Sequence, residues 1–246
     1  MRSFGWANLG LVTLIALNAV AGQNCAKPVT RKEVRELTQQ EFNAYVSAVQ
    51  KLHSSKTTTS TYNDFEVFAQ LHDRSAPNIH NNPSFLPWHR EFLYRYEQSL
   101  KKINSNITLP YWDWTLDYEY PHRSPILTQL MMGGNGDENN DYCISDGPFS
   151  TFSMQYASDQ GPHCLRRSYS EDRNITSFVP PETMVAISSD KRFSYFSYPL
   201  EIYHGYPHVG IGGDYGDFST MYSPNDPLFY LHHAFIDMLF SKWQDK

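Results

Sequence analysis

The sequence predicts a mostly α-helical fold with long irregular loops. Several stretches carry apolar residues at helical spacing, whereas residues 121 to about 181 are rich in Gly, Pro, Asn, Asp and Ser and show no such period. The chain has 246 residues and 15% aromatic residues, which is enough for one sizeable core. The net charge of −6 and the lack of basic runs argue against nucleic acid as a partner.

The first two helices are predicted from apolar periodicity and a capping pattern. Residues 31–53 have apolar side chains at roughly helical intervals, which predicts one continuous helix. After a polar loop, residues 61–64 resemble a capping box, and a short helix is expected from there to Asp73.

The later helices have clearer boundaries. A loop is predicted over residues 78–84, followed by a strongly amphipathic helix over Phe85–Lys102. Asp226 followed by Pro227 is typical of an N-cap and first helical position, so the last helix should run from there to about Trp243.

Residues 1–22 read as a secretory signal peptide, with Arg2 before an apolar run over 9–20 and a small-x-small site ending at Ala21. The rival interpretation is an uncleaved anchor, but the run is short for a membrane span. The mature chain, residues 23–246, is therefore expected to be secreted as one domain with no membrane contact. Its oligomeric state is not predicted.

Secretion favours a disulfide between Cys143 and Cys164, which lie in the same loop-rich region. Cys25 is left without a predicted partner. Asn106 and Asn174 begin Asn-x-Thr sequences, which are N-glycosylation acceptor sites in secreted proteins.

The ten histidines form a pattern. A single histidine is more often a packed side chain than a ligand, but His72 and His89 both fall on the apolar faces of their helices. His204 and His208 are four residues apart, a spacing that directs two imidazoles to one point. Several helices that each carry an inward imidazole are typical of metal sites in bundle cores. Three histidines in polar or loop contexts are predicted to have no such role: His53, His122 and His163.

The types of candidate ligand limit which metal could bind. Imidazole suits copper, zinc, iron and nickel, but unclustered cysteines argue against structural zinc, and no His-Glu-x-x-His sequence is present. A di-iron site needs two Glu-x-x-His pairs, and only Glu201–His204 has that spacing. Neutral imidazoles leave the metal charge to be balanced by an anion, which suits two cuprous ions that each give an electron to dioxygen.

Two long stretches resemble a known family. "HNNPSFLPWHREFLYRYE" and "NDPLFYLHHAFIDMLFSKW" are similar to the two copper signatures of the tyrosinase family of type-3 dicopper proteins, and "LPYWDW" and "HGYPHVGIGG" also resemble it. The resemblance extends from about Asp64 to Trp243. It implies an antiparallel four-helix bundle, formed by the helices that carry His72, His89, His208 and His233.

By this resemblance, one copper ion would be held by His72, His80 and His89, and a second by His204, His208 and His233, with O2 as co-substrate. The second histidine of the pair His232-His233 is the family's ligand, and Phe229 matches the aromatic residue over the second copper. Asp237 and Glu201 are candidates for orienting ligand N–H groups because they are close in sequence. Phe85–Trp88 is expected to form a dry wall beside the site.

Three positions depart from many relatives. Asn78 stands where many carry a thioether-forming cysteine, so no such link is expected. Gly205 replaces an asparagine associated with monophenol deprotonation. Pro207 is expected to start a helix and to leave His204 just before it.

The resemblance implies a secreted copper-dependent phenol oxidase, an enzyme that uses O2 to convert small o-diphenols to o-quinones. Gly205 motivates a preference for o-diphenols, with monooxygenase activity on monophenols left open. Two alternatives remain: a hemocyanin-like oxygen carrier, and a secreted matrix protein that has the fold but no catalysis.

Overall fold

The computed structural model describes residues 29–157, 161–170 and 174–246, so the predicted signal peptide at 1–22 and Cys25 lie outside the described residues. The described chain is mainly helical. Its α-helices are α1 (Gln39–Ser54), α2 (Glu66–Ile79), α3 (Phe85–Ile103), α4 (Pro181–Ser188), α5 (Phe193–Gly212) and α6 (Leu228–Gln244).

The predicted four-helix bundle is confirmed: it consists of α2, α3, α5 and α6, with α3 packed against the other three. α1 packs on the outside of α3, and α4 lies against α5. Large aromatic side chains fill the interior, and the following are almost completely buried: Trp112, Trp114, Tyr45, Tyr96, Tyr230, Phe65, Phe85, Phe92 and Phe196. This apolar filling keeps water away from the histidines between the helices.

α1 is shorter than predicted. It begins at Gln39 because Thr38 and Glu41 form a capping box, in which each side chain pairs with the other residue's backbone N–H. The preceding segment extends instead along Tyr111, whose carbonyl accepts the N–H of Val34 at 2.8 Å. The apolar residues before Thr38 therefore belong to an edge segment, not to the helix.

α2 begins and ends later than predicted. Its N-cap residue is Phe65, and the side-chain oxygen of Asn63 just before it accepts the backbone N–H groups of Phe65 and Glu66 at 3.1 and 2.8 Å. The helix then passes Asp73 and includes Pro77 and Ile79. It stops at His80, which has extended backbone angles.

The prediction for α5 was wrong. The helix does not begin near Pro207 but runs without a break from Phe193 to Gly212, so His204 is a helical residue. An internal proline costs about 3 kcal/mol because it removes a hydrogen bond and crowds the preceding turn. Burial of apolar side chains such as Leu200 and Ile211 on the bundle face offsets this cost.

The predictions for α3 and α6 are confirmed to within a few residues. At the start of α6, the Asp226 carboxylate accepts the backbone N–H of Leu228 at 2.9 Å. The same carboxylate pairs with Arg167, which is 0% exposed, through two N–H groups at 2.7 and 2.9 Å. Asp226 thus starts the helix and neutralises a buried cation.

The predicted irregular excursion is mostly loop and 3-10 turn, with two short antiparallel ladders. Gly136–Asp137 (β1) pairs with Cys143–Ile144 (β2), and Ser153–Met154 (β3) pairs with His163–Cys164 (β4). A disulfide joins Cys143 to Cys164, as the sequence predicts, with a Cα–Cα distance of 5.6 Å. It links the two ladders.

Candidate metal centre

Two groups of histidines face each other inside the bundle. In each group the candidate ligand atoms lie within 4.8 Å of one another. Group A consists of His72, His80 and His89, and group B consists of His204, His208, His232 and His233. The groups adjoin where the rings of His89 and His233 stack with centroids 4.4 Å apart.

Main-chain carbonyls orient the rings of group A. His80 and His89 each donate an Nδ1–H to the carbonyl four residues earlier, at 3.2 and 2.8 Å. His72 donates from Nδ1 to the distant carbonyl of Met221 at 2.6 Å. A carbonyl can only accept, so each of these neutral rings keeps its proton on Nδ1 and leaves Nε2 bare.

In group B, two rings are oriented in the same way. His204 donates from Nδ1 to the carbonyl of Glu201, three residues earlier on α5. His208 donates from Nδ1 to the carbonyl of Phe218 at 2.7 Å. Both Nε2 atoms are left free to bind a metal.

His233 is held differently. Its Nδ1 is buried and has no hydrogen-bond partner within the described chain. The ring is stacked between Phe229, at 4.0 Å between centroids, and His89. Packing alone therefore fixes its orientation.

The spacing of bare nitrogens fits a bound cation. The Nε2 atoms of His72 and His89 are 3.3 Å apart, and no proton lies between them because both rings carry theirs on Nδ1. Two facing lone pairs at that distance repel each other. Two nitrogens bound to one metal at about 2.0 Å in tetrahedral geometry would be separated by roughly 3.3 Å. The Nε2 atoms of His208 and His233 have a similar separation of 3.2 Å.

Burial keeps these imidazoles neutral. Desolvation lowers the pKa of His72 to about 3 and that of His208 to about 4, against an ordinary value of 6.5. The pKa values of His89, His204 and His233 are lowered further below their usual range by burial, with a contribution from neighbouring histidines. Neutral imidazole is the form that binds metal.

His232 lies closer to the site than the resemblance implies. It is 0% exposed, and its ring lies parallel to that of His204 with centroids 5.6 Å apart. The His204 carbonyl is nearby, but neither ring nitrogen of His232 makes a hydrogen bond of normal geometry. Group B therefore offers four imidazoles where the resemblance implies three.

The predicted pocket residues border the histidines. Phe229 is 0% exposed and contacts rings of both groups, with centroid distances of 5.2 Å to His72 and 5.8 Å to His208. Phe85 is also buried and lies against His89 and His204 at 4.8 and 4.7 Å, as expected of a dry wall. A Cβ placed on Gly205 would meet no atom within 4 Å, so open space lies beside this position.

The carboxylates of Asp237 and Glu201 do not orient ligand N–H groups, contrary to expectation. Asp237 instead forms ion pairs with Arg31 and Arg90, which follows His89 in α3. The Glu201 carboxylate accepts the backbone N–H of Asn81 at 2.6 Å and fixes the loop after His80.

Sequence reasoning missed the true partners of the ligands because main-chain carbonyls have no residue signature. It also assigned no role to His163, which is buried and pairs with Asp217 at 2.7 Å, one residue before Phe218. A histidine directly before a disulfide cysteine was the only signal available in the sequence.

The fold and site define a helical-bundle protein with two adjoining groups of imidazoles that could each hold a metal ion. The model of the family described as the common central domain of tyrosinase matches residues 31–246. The chain is 36% identical over 253 residues to the Tyrosinase-like protein phomQ1' of Diaporthe leptostromiformis, covering 91% of this chain and 65% of the relative. The chain thus spans just under two thirds of that relative's length.

Solved structures agree on the fold. A polyphenol oxidase from Thermothelomyces thermophila superposes with a TM-score of 0.72 and 25% identity, covering 88% of this chain and 70% of the other. A functional unit of octopus hemocyanin superposes with a TM-score of 0.66 and 24% identity, covering 89% and 53%, and supports the fold alone. The chain belongs to the tyrosinase family.

Proposed function

We propose that the protein is a secreted, copper-dependent phenol oxidase that converts small o-diphenols to o-quinones. The observation that carries the proposal is the pair of bare Nε2 atoms of His72 and His89 at 3.3 Å, which a bound cation would stabilise. In the balanced reaction, two catechols are oxidised to two o-quinones while one O2 is reduced to two waters.

Copper A would be held by His72, His80 and His89, and copper B by His204, His208 and His233. When bound, the two ions would carry electrons from the phenol to O2. Imidazole nitrogen is a ligand that suits copper, and the family implies a binuclear copper site.

The chain's own groups would position the phenol and exclude water. His208 is partly exposed, and together with the open space beside Gly205 it would give an aromatic substrate a way in. Phe229 and Phe85 present buried apolar faces next to the ligands, which would keep water from the reacting atoms. A flat phenol can stack against these rings.

Absorption spectroscopy tests the proposal first. The protein is loaded with copper, reduced and exposed to O2, and we expect an intense near-ultraviolet charge-transfer band together with turnover of catechol. Two bound coppers without a band would show that the ions are not coupled. A protein that binds no copper would support the matrix-protein alternative.

Gly205 supports a finer proposal, a preference for o-diphenols over monophenols. Glycine has no side chain to hydrogen-bond a phenol hydroxyl or a water that takes its proton, and the space beside it is open. We expect Gly205→Asn to raise the monophenol rate relative to the diphenol rate, with Gly205→Ala as the control for bulk. Comparable rates on both substrates in the wild-type protein would refute this preference.

Because the fold is similar to that of a hemocyanin unit, reversible oxygen binding is a second candidate function. Turnover separates the two functions. A carrier would show the oxygen-dependent band but would not oxidise catechol without an added activator.

Secretion is supported by the disulfide between Cys143 and Cys164 and by the exposure of Asn106 and Asn174. Expression in eukaryotic cells should yield a protein in the medium that begins near residue 23 and gains mobility after glycosidase treatment. Retention in a membrane fraction would favour the anchor. Within the described residues, no helix combines the length and apolarity needed to cross a bilayer.

A further inference from the structure

One short segment orients a ligand of each copper site. This segment, residues 217–221, is called the strap here. Its Phe218 carbonyl accepts the Nδ1–H of His208 at 2.7 Å, and its Met221 carbonyl accepts that of His72 at 2.6 Å. His208 belongs to group B and His72 to group A. A displacement of the strap would therefore turn one imidazole in each site.

The other oriented ligands do not depend on such a segment. His80, His89 and His204 each bond to a carbonyl three or four residues earlier, so their own helical turn sets the ring direction. His72 and His208 point as they do only if the strap is in place.

A buried side-chain pair anchors the strap. Asp217, its first residue, accepts from Nε2 of His163 at 2.7 Å, and both side chains are 2% exposed. The other carboxylate oxygen accepts the backbone N–H of Arg166 at 3.0 Å, and the Asp217 N–H donates to the Arg166 carbonyl at 3.0 Å. The strap is thus fixed to the segment that contains β4.

The chemistry of His163 strengthens this anchor. Its Nδ1 faces the Gly161 carbonyl at 3.2 Å, and its Nε2 faces the Asp217 carboxylate. The Asp217 carboxylate can accept from Nε2–H whether the ring is neutral or doubly protonated, so the contact holds in either form of the ring. Cys164 follows directly, and its disulfide to Cys143 ties this anchor to β2.

We propose that His163 is a positioning residue for both copper sites, acting through Asp217 and the strap on the rings of His72 and His208. The proposal rests on the copper-binding part of the proposed function. It does not require that the protein oxidise phenols, because its readout is the metal site itself.

The test compares copper affinity in His163→Gln and Asp217→Asn with the wild-type protein, by competition with a Cu(I) chelator. Loss of a group that orients ligands typically weakens metal binding about 10–100-fold. We expect a fall of this size at both sites, together with an altered near-ultraviolet band after exposure to O2. The control is His122→Gln, a histidine whose only ring contact within the described chain is with Tyr120.

Wild-type affinity and an unchanged band in a folded His163→Gln protein would overturn the proposal, and so would weakening of one site alone. If neither variant folds, the ¹⁵N chemical shifts of the imidazoles in the diamagnetic Cu(I) form of the wild-type protein show which nitrogens of His163 carry protons. A His163 ring with a proton on Nε2 is expected, and a ring without a proton on Nε2 would overturn the anchor. A wild-type protein that binds two coppers without oxidising catechol would refute the oxidase function and leave this test intact.

Discussion

The two halves of the metal centre differ in how one of their ligands is held. In group A, every ring donates a hydrogen bond to a carbonyl: two to their own helical turns and one to the strap. In group B, His233 has no such bond and is held by stacking between Phe229 and His89. Group B also contains a fourth imidazole, His232.

This difference indicates where each half is sensitive to change. Hydrogen bonds fix the direction of a ring, so group A depends on backbone geometry. Stacking fixes the position of a plane but depends on the volume of its neighbours, so copper B depends on packing around His233 in addition to the hydrogen bonds of His204 and His208.

The largest expected effect separates the two members of the adjacent histidine pair. His233→Gln should lose copper B, because the Nε2 atom of His233 is 3.2 Å from that of His208. The fall in copper affinity should be larger than the fall of about 10–100-fold that follows the removal of a group that only orients a ligand. His232→Gln should retain both metals. Copper per protein, measured after dialysis against a chelator, is the readout. The reverse result would make His232 the ligand.

Phe229→Ala should have the next largest effect. It leaves a cavity at a site that is 0% exposed and removes one side of the stack around His233, at a cost of about 3–5 kcal/mol in unfolding free energy. Copper B should weaken more than copper A. Urea unfolding and chelator competition measure the two effects, and Phe229→Leu is the matched control for volume. Equal weakening at both coppers would contradict the contrast between the halves.

Asp237→Asn tests the link between the halves. Asp237 on α6 forms ion pairs with Arg31 and with Arg90, which is on the helix that carries His89. The pairs are partly exposed, so we expect a loss of about 1–3 kcal/mol in unfolding free energy, with copper retained at both sites. The exposed pair of Arg95 with Glu91 provides a control, since Glu91→Gln should change stability by less than about 1 kcal/mol. Loss of copper from Asp237→Asn would give the carboxylate the ligand-orienting role that its hydrogen bonds do not show.

A change of pH should alter the stability of the copper-free protein gradually. Burial lowers the pKa of His72 to about 3 and of His208 to about 4, whereas both return to near 6.5 on unfolding. The stability these neutral rings contribute is complete above about pH 6.5 and declines as pH falls through the folded pKa values, because the unfolded state binds protons first. Each ring contributes up to about 1.4 kcal/mol per pH unit.

Urea unfolding of the copper-free protein at several pH values below 7 measures this slope. Substitution of His72 or His208 by phenylalanine should reduce the slope of unfolding free energy against pH by the contribution of that one ring. The two variants therefore show how much of the slope comes from group A and how much from group B. A slope that neither substitution changes would show that other groups cause the acid sensitivity.

The sequence predicted those features that depend on the identity of particular side chains. Few residue types can bind a metal, form a disulfide or cap a helix. The sequence therefore predicted the histidine positions, the Cys143–Cys164 bridge and the start of α6 at Asp226. The continuity of α5 through Pro207 could not be predicted from the sequence, since the local preference of proline disfavours a helix interior. Only burial of the helix against the bundle reverses that preference. The role of the strap was hidden for a different reason, because it acts through main-chain carbonyls.

The buried pair of Arg167 with Asp226 has a consequence for the order in which the molecule assembles. Group A lies within residues 72–89, so bringing its three histidines together closes only a short loop, but His72 takes its final direction only when the Met221 carbonyl of the strap is in place. The helix of His233 starts at Asp226, whose carboxylate must also receive a guanidinium from the docked excursion. Copper B is therefore completed only when the excursion has folded onto the bundle. Neither metal site is therefore complete before the later part of the chain has docked, and the two-metal centre marks the finished fold.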